Sequence, residues 1–337
     1  MTYYLGIDGG ATKTYALLCD EYGYVLGKGR SGNGNHQAGI AEAAFSIQEA
    51  AFEALADTGL QLADIEHAYL GLAGADREAD YELLHPMIQQ MGFTKYTLNC
   101  DTIIGLRAGT NRQFGIALIC GTGTNAAGRN RQGHHYQCGG FSYMHGDFGG
   151  GAMLSIEVFR SVIRAWEGRE KPTLLTGLLL NRLGYEQVDE MQNDFLDHNK
   201  QVPVDVARLL FEAANEGDVV AVEILHRQGV ELGKSAAAVI HRLAMEQDIF
   251  DVVLVGSLLT RGDRGWIRRL IEQAVFAVSP QATVVILATE PVVGAVWSAM
   301  EHSGISISDE IYEKMRVYQD FEAIRISNKS GVMELGN

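Results

Sequence analysis

Two short, glycine-rich turns constrain this chain of 337 residues more than any other feature. The first is DGGATKT at Asp8–Thr14, and the second is CGTGTN at Cys120–Asn125. Each turn follows an apolar run with strand character and leads into another such run. One turn alone is typical of a tight hairpin, in which glycine and threonine are common. Two turns in the same setting indicate phosphate binding, because consecutive glycines let backbone N–H groups converge on an anion.

The first turn supplies the predicted contacts to one part of a nucleotide phosphate chain. Gly9 and Gly10 would present backbone N–H groups, Thr12 a hydroxyl donor and Lys13 a positive charge. Asp8 ends the preceding strand, where it would hold Mg²⁺ through water, since Mg²⁺ keeps part of its hydration shell. The turn therefore predicts a phosphate site with Mg²⁺ beside it.

The second turn repeats this chemistry with alternating residues. Gly121 and Gly123 flank Thr122, and the three together are predicted to bind phosphate. Other nucleotide motifs are absent: GxxxxGK[ST] does not occur, and SGNGNHQAG lacks the third glycine of a dinucleotide-binding turn.

The order of predicted elements indicates an α/β protein with two lobes of related topology and a cleft between them. The first half reads β-β-β-α-β-α-β, and the second half opens again with a strand, a small-residue turn and a return strand. The chain length also favours two domains. We place the N-terminal lobe at residues 1–112, the C-terminal lobe at 113–305, and a polar tail of unassigned position at 306–337.

Composition narrows the class of partners. The chain has 27 Lys+Arg against 42 Asp+Glu, a net charge of −15, which disfavours nucleic acid and anionic membrane as partners. Neither a signal peptide nor an apolar run of bilayer-spanning length is evident. The four cysteines form no CxxC pair and are expected to be buried thiols of a reduced protein. These features predict a cytoplasmic protein that acts on small molecules.

Three segments, taken together, resemble a known superfamily. GIDGGATKT, CGTGTN and VVLVGSLL are similar, in order and spacing, to the phosphate-1, phosphate-2 and adenosine motifs of the actin–hexokinase–Hsp70 superfamily. Within it, Tyr3–Glu301 resembles the N-acetylglucosamine kinase group of the BadF/BadG/BcrA/BcrD-type ATPase family. The resemblance implies two ribonuclease-H-like lobes, an interlobe cleft for ATP and sugar, and a homodimer. It also implies that Gly256, Ser257 and Ala214 lie on the nucleotide side.

Asp101 is the candidate general base for the acceptor hydroxyl. It ends a predicted strand in NCDTI, and a neutral alcohol needs such a base to attack phosphorus. An N-cap for the following helix is the alternative, and one residue can serve both roles. The family's catalytic aspartate lies in a TTDA-like segment that this one resembles, which favours catalysis.

Two further segments resemble the family's sugar-binding segments, although GNGNHQ taken alone would be read as a surface turn. GNGNHQ is similar to TNH, and CGGFSYMHGDFGGG is similar to CGGWGHMMGDEGS. Phe141 replaces the family's usual Trp, and Phe148 replaces an acidic residue, which removes one polar contact near the sugar. The implied sugar-binding residues are Asn35, Asp101, Thr124, Asn125, Gly140, Phe141, Ser142 and Asp147.

These features predict ATP-dependent phosphorylation of the 6-hydroxyl of an amino sugar, with N-acetylglucosamine as the first choice. Glucosamine and N-acetylmuramic acid are the alternatives within this class. A different class, the ATPase activator of a dehydratase or reductase, would need cysteines placed for an iron–sulfur cluster. A non-catalytic sensor is a third class, against which Asp8 and Asp101 argue. His134, His135, Cys138 and His145 match no standard zinc spacing.

Overall fold

The computed structural model describes residues 1–262 and 265–327, and the backbone alone at 261 and 262. The chain divides into two compact units, and each has its own five-stranded sheet. Unit 1 comprises Met1–Gly115 and Leu287–Asn337, and unit 2 comprises Ile116–Ile286. Unit 2 is therefore an insertion in the sequence of unit 1.

The strands of the described residues are short and follow the apolar runs of the sequence. They are β1 (Tyr3–Gly9), β2 (Thr14–Asp20), β3 (Val25–Ser31), β4 (His67–Leu72), β5 (Tyr96–Cys100), β6 (Gly115–Cys120), β7 (Thr124–Arg129), β8 (His135–Cys138), β9 (Asp251–Val255) and β10 (Thr283–Ile286).

The helices range from one long element in unit 2 to a two-turn helix near the C-terminus. They are α1 (Ile40–Leu55), α2 (Glu78–Gln90), α3 (Asp101–Gly109), α4 (Gly151–Trp166), α5 (Leu175–Leu183), α6 (Val188–Asp197), α7 (Arg208–Asn215), α8 (Val219–Arg242), α9 (Arg268–Val278), α10 (Pro291–His302) and α11 (Asp309–Met315). Short 3-10 helices occur at Leu62–Asp64, Tyr143–His145, Val204–Ala207 and Phe321–Ala323, and a π-helix at Leu258–Gly262.

The two sheets share one strand order. In unit 1 it is β3-β2-β1-β4-β5, and in unit 2, numbered from the corresponding edge, it is β8-β7-β6-β9-β10. In unit 1, β1 pairs antiparallel with β2 and parallel with β4, and β5 continues the parallel half. In unit 2, β7–β8 is antiparallel and β9–β10 is parallel. The predicted α/β fold with two halves of related topology is confirmed.

Strand alternation places a helical layer on each face of the unit 1 sheet. Leu5 and Ile7 of β1 belong to the core that includes α1, whereas Tyr4 belongs to the core that includes α10. On the α1 side, β3 lies so close that a Cβ at Gly27 or Gly29 would meet a helix carbonyl oxygen at 1.9 Å. These two glycines therefore allow the close packing of α1 on the sheet.

The predicted limits of the C-terminal lobe were wrong. The first boundary, at residue 112, lies close to the observed division after Gly115, but the lobe was extended to 305, whereas unit 1 resumes at Leu287. The physical reason is α10, which packs on β1 so closely that a Cβ on Gly6 would lie 2.6 Å from the backbone nitrogen of Val296. The buried Trp297 completes this core.

The tail after residue 305 also belongs to unit 1. Ile311, Phe321 and Ile324 are buried in the core that contains α10. Residues 328–337 of the predicted tail lie outside the described residues. In the part of the chain that the structure covers, we find no helix with the length and apolar character needed to cross a membrane.

Candidate active site

The carboxyl ends of β1, β4 and β5 bring two of the predicted site residues to one edge of the unit 1 sheet. Asp8 is in register with Gly71 of β4, which is in register with Asn99 of β5. Asp101 follows β5 directly as the first residue of α3. Because these three strands are parallel, Asp8 and Asp101 lie at the same end of the sheet, where ligands bind in open α/β sheets.

Asp8 is a carboxylate in an unfavourable environment. The pKa of its carboxyl group is raised to about 7, chiefly by burial and also by the negative charges of Asp101 and Glu290, whereas the charge of Lys13 acts in the opposite direction. A carboxylate that protonates so readily beside two other carboxylates has a strong preference for a cation. This electrostatic setting is what a metal-binding aspartate requires.

Asp101 is held by its two chain neighbours. Its Oδ1 accepts hydrogen bonds from the Cys100 thiol at 3.2 Å and from the Thr102 hydroxyl at 3.4 Å. Its pKa is raised to about 6, chiefly by burial and also by the charge of Asp76, although the hydrogen bonds from Cys100 and Thr102 act in the opposite direction. The N-cap residue of α3 is Cys100 rather than Asp101, so the capping alternative does not account for this aspartate.

The raised pKa of Asp101 predicts an acid limit to activity. A general base must be ionised, so kcat/KM is expected to fall about tenfold per pH unit once the pH drops below about 6. The measurement is kcat/KM for the sugar between pH 4.5 and 8.5 at saturating ATP and Mg²⁺, with circular dichroism to confirm folding at each pH. A profile that stays flat down to pH 5 would contradict the assignment.

The donors at this edge fit a Mg²⁺ ion. Mg²⁺ is commonly held by one or two carboxylates together with substrate phosphates and several waters. Asp8, with Asp101 and Glu290 near enough to shift its pKa, provides such a sparse carboxylate set. Among residues 1–262 and 265–327, no group of three or more His, Cys, Asp or Glu side chains is placed to hold a metal by itself.

The first phosphate turn is closed by its own backbone. The N–H of Gly10 donates to the carbonyl of Lys13 at 2.9 Å, and Thr12 lies exposed between them. The N–H of Gly34 donates to the carbonyl of Gly10 at 2.9 Å, and a Cβ on Gly34 would lie 2.9 Å from the Cα of Gly9. The glycines here are required partly because two backbone segments pass within contact distance.

This contact brings the predicted sugar loop beside the first turn. The side-chain oxygen of Asn35 accepts the N–H of Gln37 at 2.9 Å and lies where a Cβ on Gly74 would be 2.7 Å away. The next residue, His36, is buried, with Nε2 at 3.3 Å from Asp80 in α2. The structure thus places Asn35 near the ends of β1 and β4, on a loop that His36 anchors.

The second phosphate turn in unit 2 is held by the first residues of α4. The N–H of Gly151 donates to the carbonyl of Gly121 at 2.7 Å, and that of Ala152 to the carbonyl of Thr122 at 3.0 Å. Gly256, with φ of 97°, lies on the same turn, because a Cβ there would meet the carbonyl oxygen of Cys120 at 2.5 Å. The CGTGTN turn, the end of the segment CGGFSYMHGDFGGG and the turn after β9 therefore meet within unit 2.

Gly121 and Gly123 differ from the neighbouring glycines in backbone angle and in the space around the Cα atom. Neither has a positive φ, and a Cβ on either would meet no protein atom within 4 Å. Packing and backbone conformation therefore do not demand glycine at these two positions. The close approach of a ligand to the backbone would demand glycine here, and phosphate binding at this turn stays a prediction.

We predict that Gly123→Ala leaves the fold intact and weakens ATP binding by about tenfold, because the new methyl group occupies the approach of a phosphate oxygen. Isothermal titration calorimetry with MgATP measures the effect. Gly177→Ala is the matched control, since Gly177 in α5 also has open space and ordinary backbone angles. Equal ATP affinity in the two variants would refute the phosphate role of the turn.

Asp147 organises the glycine-rich segment that follows β8. Its Oδ2 accepts the backbone N–H groups of Gly140, Phe141 and Ser142 at 3.1, 2.8 and 2.8 Å. Ser142 adopts a φ of 132°, rare for a residue with a side chain, and this carboxylate holds it there. The contact of Asp147 with sugar hydroxyls stays a prediction. In the structure, the Asp147 carboxylate fixes the backbone conformation of residues 140–142.

Thr124 and Asn125 begin β7 and line a small cavity together with Asp147. Its volume of about 20 Å³ is enough for one water but not for a sugar ring. Phe148 lines it as well, is buried, and lies 4.2 Å beneath the Arg227 guanidinium of α8. The aromatic side chain at 148 is thus part of the packing between this segment and α8.

Ser257 and Ala214, the remaining residues predicted on the nucleotide side, are also in unit 2. Ser257 is exposed just after β9, and Ala214 is buried in α7, which packs on the π-helix that follows Ser257. Sequence reasoning missed two acidic residues, Glu290 and Asp76, whose charges act on Asp8 and Asp101. Glu290 could have been noticed because it directly precedes Pro291, the first residue of a helix. Asp76 could have been noticed because it follows the small-residue turn after β4.

Two sheets with one strand order, each with a glycine-rich turn after its central strand, define the actin/hexokinase-type fold. The chain belongs to the BadF/BadG/BcrA/BcrD ATPase family, whose family model matches residues 5–299.

Curated relatives in this family cover most of the chain. An N-acetylmuramic acid/N-acetylglucosamine kinase of Clostridium acetobutylicum is 28% identical over 77% of this chain and 86% of its own length. An N-acetyl-D-glucosamine kinase of Dictyostelium discoideum is 28% identical over 88% and 97%, respectively. The glucosamine kinase GspK of Vibrio cholerae is 27% identical over 85% and 94%.

A solved structure agrees with the fold. The crystal structure of a Chromobacterium violaceum protein, named as a candidate N-acetylglucosamine kinase, is 25% identical. It matches 88% of this chain and 98% of its own, with a TM-score of 0.69.

Proposed function

We propose that this protein is an ATP-dependent amino-sugar kinase that phosphorylates the 6-hydroxyl of N-acetylglucosamine. The observation that carries the proposal is the pair Asp8 and Asp101 at one sheet edge, each with a raised pKa. One carboxylate suited to a cation and one suited to a proton are what phosphoryl transfer to an alcohol requires. The names of the curated relatives support an amino sugar as the acceptor class.

Asp101 would take the proton of the attacking hydroxyl. Both observed side-chain hydrogen bonds to it go to Oδ1, and Oδ2 is the oxygen that we propose accepts the hydroxyl proton. A pKa of about 6 keeps the carboxylate largely ionised at pH 7 and yet basic enough to act. The loss of the proton makes the sugar oxygen a competent nucleophile for the terminal phosphorus of ATP.

The remaining proposed residues bind and orient the two substrates. Backbone groups of Gly9 and Gly10, with Thr12 and Lys13, would contact phosphate in unit 1. The Gly121–Gly123 turn would do so in unit 2. Bound Mg²⁺, held at Asp8, would neutralise negative charge on the phosphate oxygens.

The remaining polar groups are proposed to contact the sugar. In unit 1 the proposed contact is Asn35, on the loop that His36 anchors. In unit 2 the proposed contacts are Thr124, Asn125, Gly140, Phe141, Ser142 and Asp147.

The test is an ADP-release assay coupled to NADH oxidation, with MgATP and one sugar at a time. We expect the highest kcat/KM with N-acetylglucosamine among N-acetylglucosamine, glucosamine, N-acetylmuramic acid and glucose. The curated relatives act on the first three by name, so a higher kcat/KM for glucosamine or N-acetylmuramic acid would correct the acceptor and keep the class. Sugar-independent ADP release with no phosphorylated sugar would reject the kinase proposal.

A further inference from the structure

The ammonium group of Lys13 is fixed in place although the residue itself is exposed. Its Nζ donates to the hydroxyl oxygen of Tyr15 at 2.8 Å and lies 4.3 Å from the centroid of the same ring. Lys13 closes the first phosphate turn, and its charge acts on Asp8. A lysine side chain normally samples many rotamers at the surface, so a fixed position needs a physical cause.

Phe321, 308 residues further along the chain than Lys13, provides that cause. Its ring stacks on Tyr15 with centroids 3.9 Å apart and planes 9° from parallel. Tyr15 is 5% exposed and Phe321 is 2% exposed. The Tyr15 ring is therefore clamped between the sheet and the C-terminal segment, with its hydroxyl toward Lys13.

Polar contacts hold the Phe321 segment against the sheet. Lys28 of β3 donates to the carbonyl oxygens of Phe321 and Glu322 at 3.1 and 2.8 Å. Arg30 of the same strand pairs with the Glu322 carboxylate at 2.6 Å. Further along, the N–H of Ser327 donates to the carbonyl of Val25 at 2.7 Å. The C-terminal segment is thus attached along the whole of β3.

We propose that Tyr15 and Phe321 are positioning residues that hold the Lys13 ammonium ready for a nucleotide phosphate, so that the C-terminal segment tunes ATP affinity. A side chain that is already ordered loses less conformational entropy when a ligand binds. The inference rests on the proposed function only in taking the first turn as a phosphate site. The sequence left the position and role of the tail open. In this proposal the tail acts on Lys13, near the N-terminus, through Phe321 and Tyr15.

Tyr15→Phe is the sharpest test, because it removes the hydroxyl that fixes Lys13 and keeps the ring that stacks on Phe321. We expect the Kd for MgATP, measured by calorimetry without any sugar, to rise roughly 2–10-fold with unchanged circular dichroism. Phe321→Leu, which shortens the stacking side chain without emptying the core, is expected to act in the same direction.

A double-mutant cycle separates positioning from a general structural role. In a Lys13→Met background, Tyr15→Phe is expected to have no further effect on the Kd, because the group it positions is gone. Glu313→Gln, which weakens the exposed pair with Arg316 and is not among the contacts that hold the Phe321 segment, is the control and is expected to leave ATP binding unchanged.

The outcomes distinguish this inference from the proposed function. An unchanged Kd in Tyr15→Phe, or an equal loss in the Lys13→Met background, would overturn the positioning role alone. Absence of MgATP binding by the unmodified protein would overturn both proposals.

Discussion

Asp101→Asn is expected to lower kcat by about 10²–10⁴-fold while KM for ATP changes little. Asparagine keeps the size of the side chain and accepts the bonds that Cys100 and Thr102 make to Oδ1. It cannot accept a proton, so the attacking hydroxyl stays neutral and the barrier to phosphoryl transfer rises. Steady-state kinetics with N-acetylglucosamine, together with calorimetric ATP affinity, measures both parts of the prediction.

Asp309→Asn is the matched control for this variant. Asp309 is also the first residue of a helix, α11, but it is exposed and near no predicted site residue. Its replacement is expected to leave kcat within a factor of two, since surface substitutions usually have small effects. Near-normal turnover in Asp101→Asn would remove Asp101 from the mechanism.

Asp8→Asn is expected to abolish Mg²⁺-dependent turnover and at the same time to stabilise the ligand-free protein at neutral pH. The raised pKa means that the folded protein binds the Asp8 proton more tightly than the unfolded chain does. The stabilisation from that proton is complete below pH 4 and is lost as the pH rises through about 7. Asparagine is neutral at every pH, so the variant does not lose this stability when the pH rises.

Thermal unfolding between pH 5 and 8 tests this prediction. The gain of Asp8→Asn over the unmodified protein should grow with pH and reach about 1–2 kcal/mol at pH 8, a value reduced because Asp8 keeps partial solvent contact. Asp20→Asn makes the same chemical change in a carboxylate that accepts two backbone N–H groups, and it should destabilise instead. A destabilised Asp8→Asn would show that the acidic cluster carries no electrostatic strain.

Much of the fold was predictable because local patterns and tertiary packing agree. The apolar runs at His67–Leu72 and Asp251–Val255 match β4 and β9 residue for residue. The strand β8 was not predicted, because HYQC is short and half polar, and its strand conformation depends on pairing with β7. The helices α5, α6, α9 and α11 were not predicted.

The assignment of α10 shows where sequence reasoning reaches its limit. Its apolar character was recognised, but both sheets could have accepted such a helix, and chain order favoured the second. The first sheet is selected by close packing: Gly6 has no side chain, so the backbone of Val296 can approach it. That complementarity of shape is a property of two segments 290 residues apart, and no local pattern records it.

In the candidate site, single residues were easier to predict than the charges of neighbouring residues that shift their pKa values. Asp8 and Asp101 were proposed because the sequence placed each at the end of a predicted strand. The contributions of Asp76 and Glu290 depend on distance through space, which a linear sequence does not contain. The backbone bonds of Asp147 were missed for a similar reason, since they depend on how the chain turns between Gly140 and Ser142.

The placement of α10 also has a consequence for biosynthesis. The sheet of unit 1 leaves the ribosome first, but the helix that covers its second face follows unit 2 in the chain. Tyr4, Leu17 and Tyr69 therefore stay uncovered until residues 291–302 emerge. Unit 2 has all of its segments available earlier and can fold while unit 1 waits. Premature termination before α10 would leave an open apolar sheet, a form prone to aggregation and to capture by chaperones.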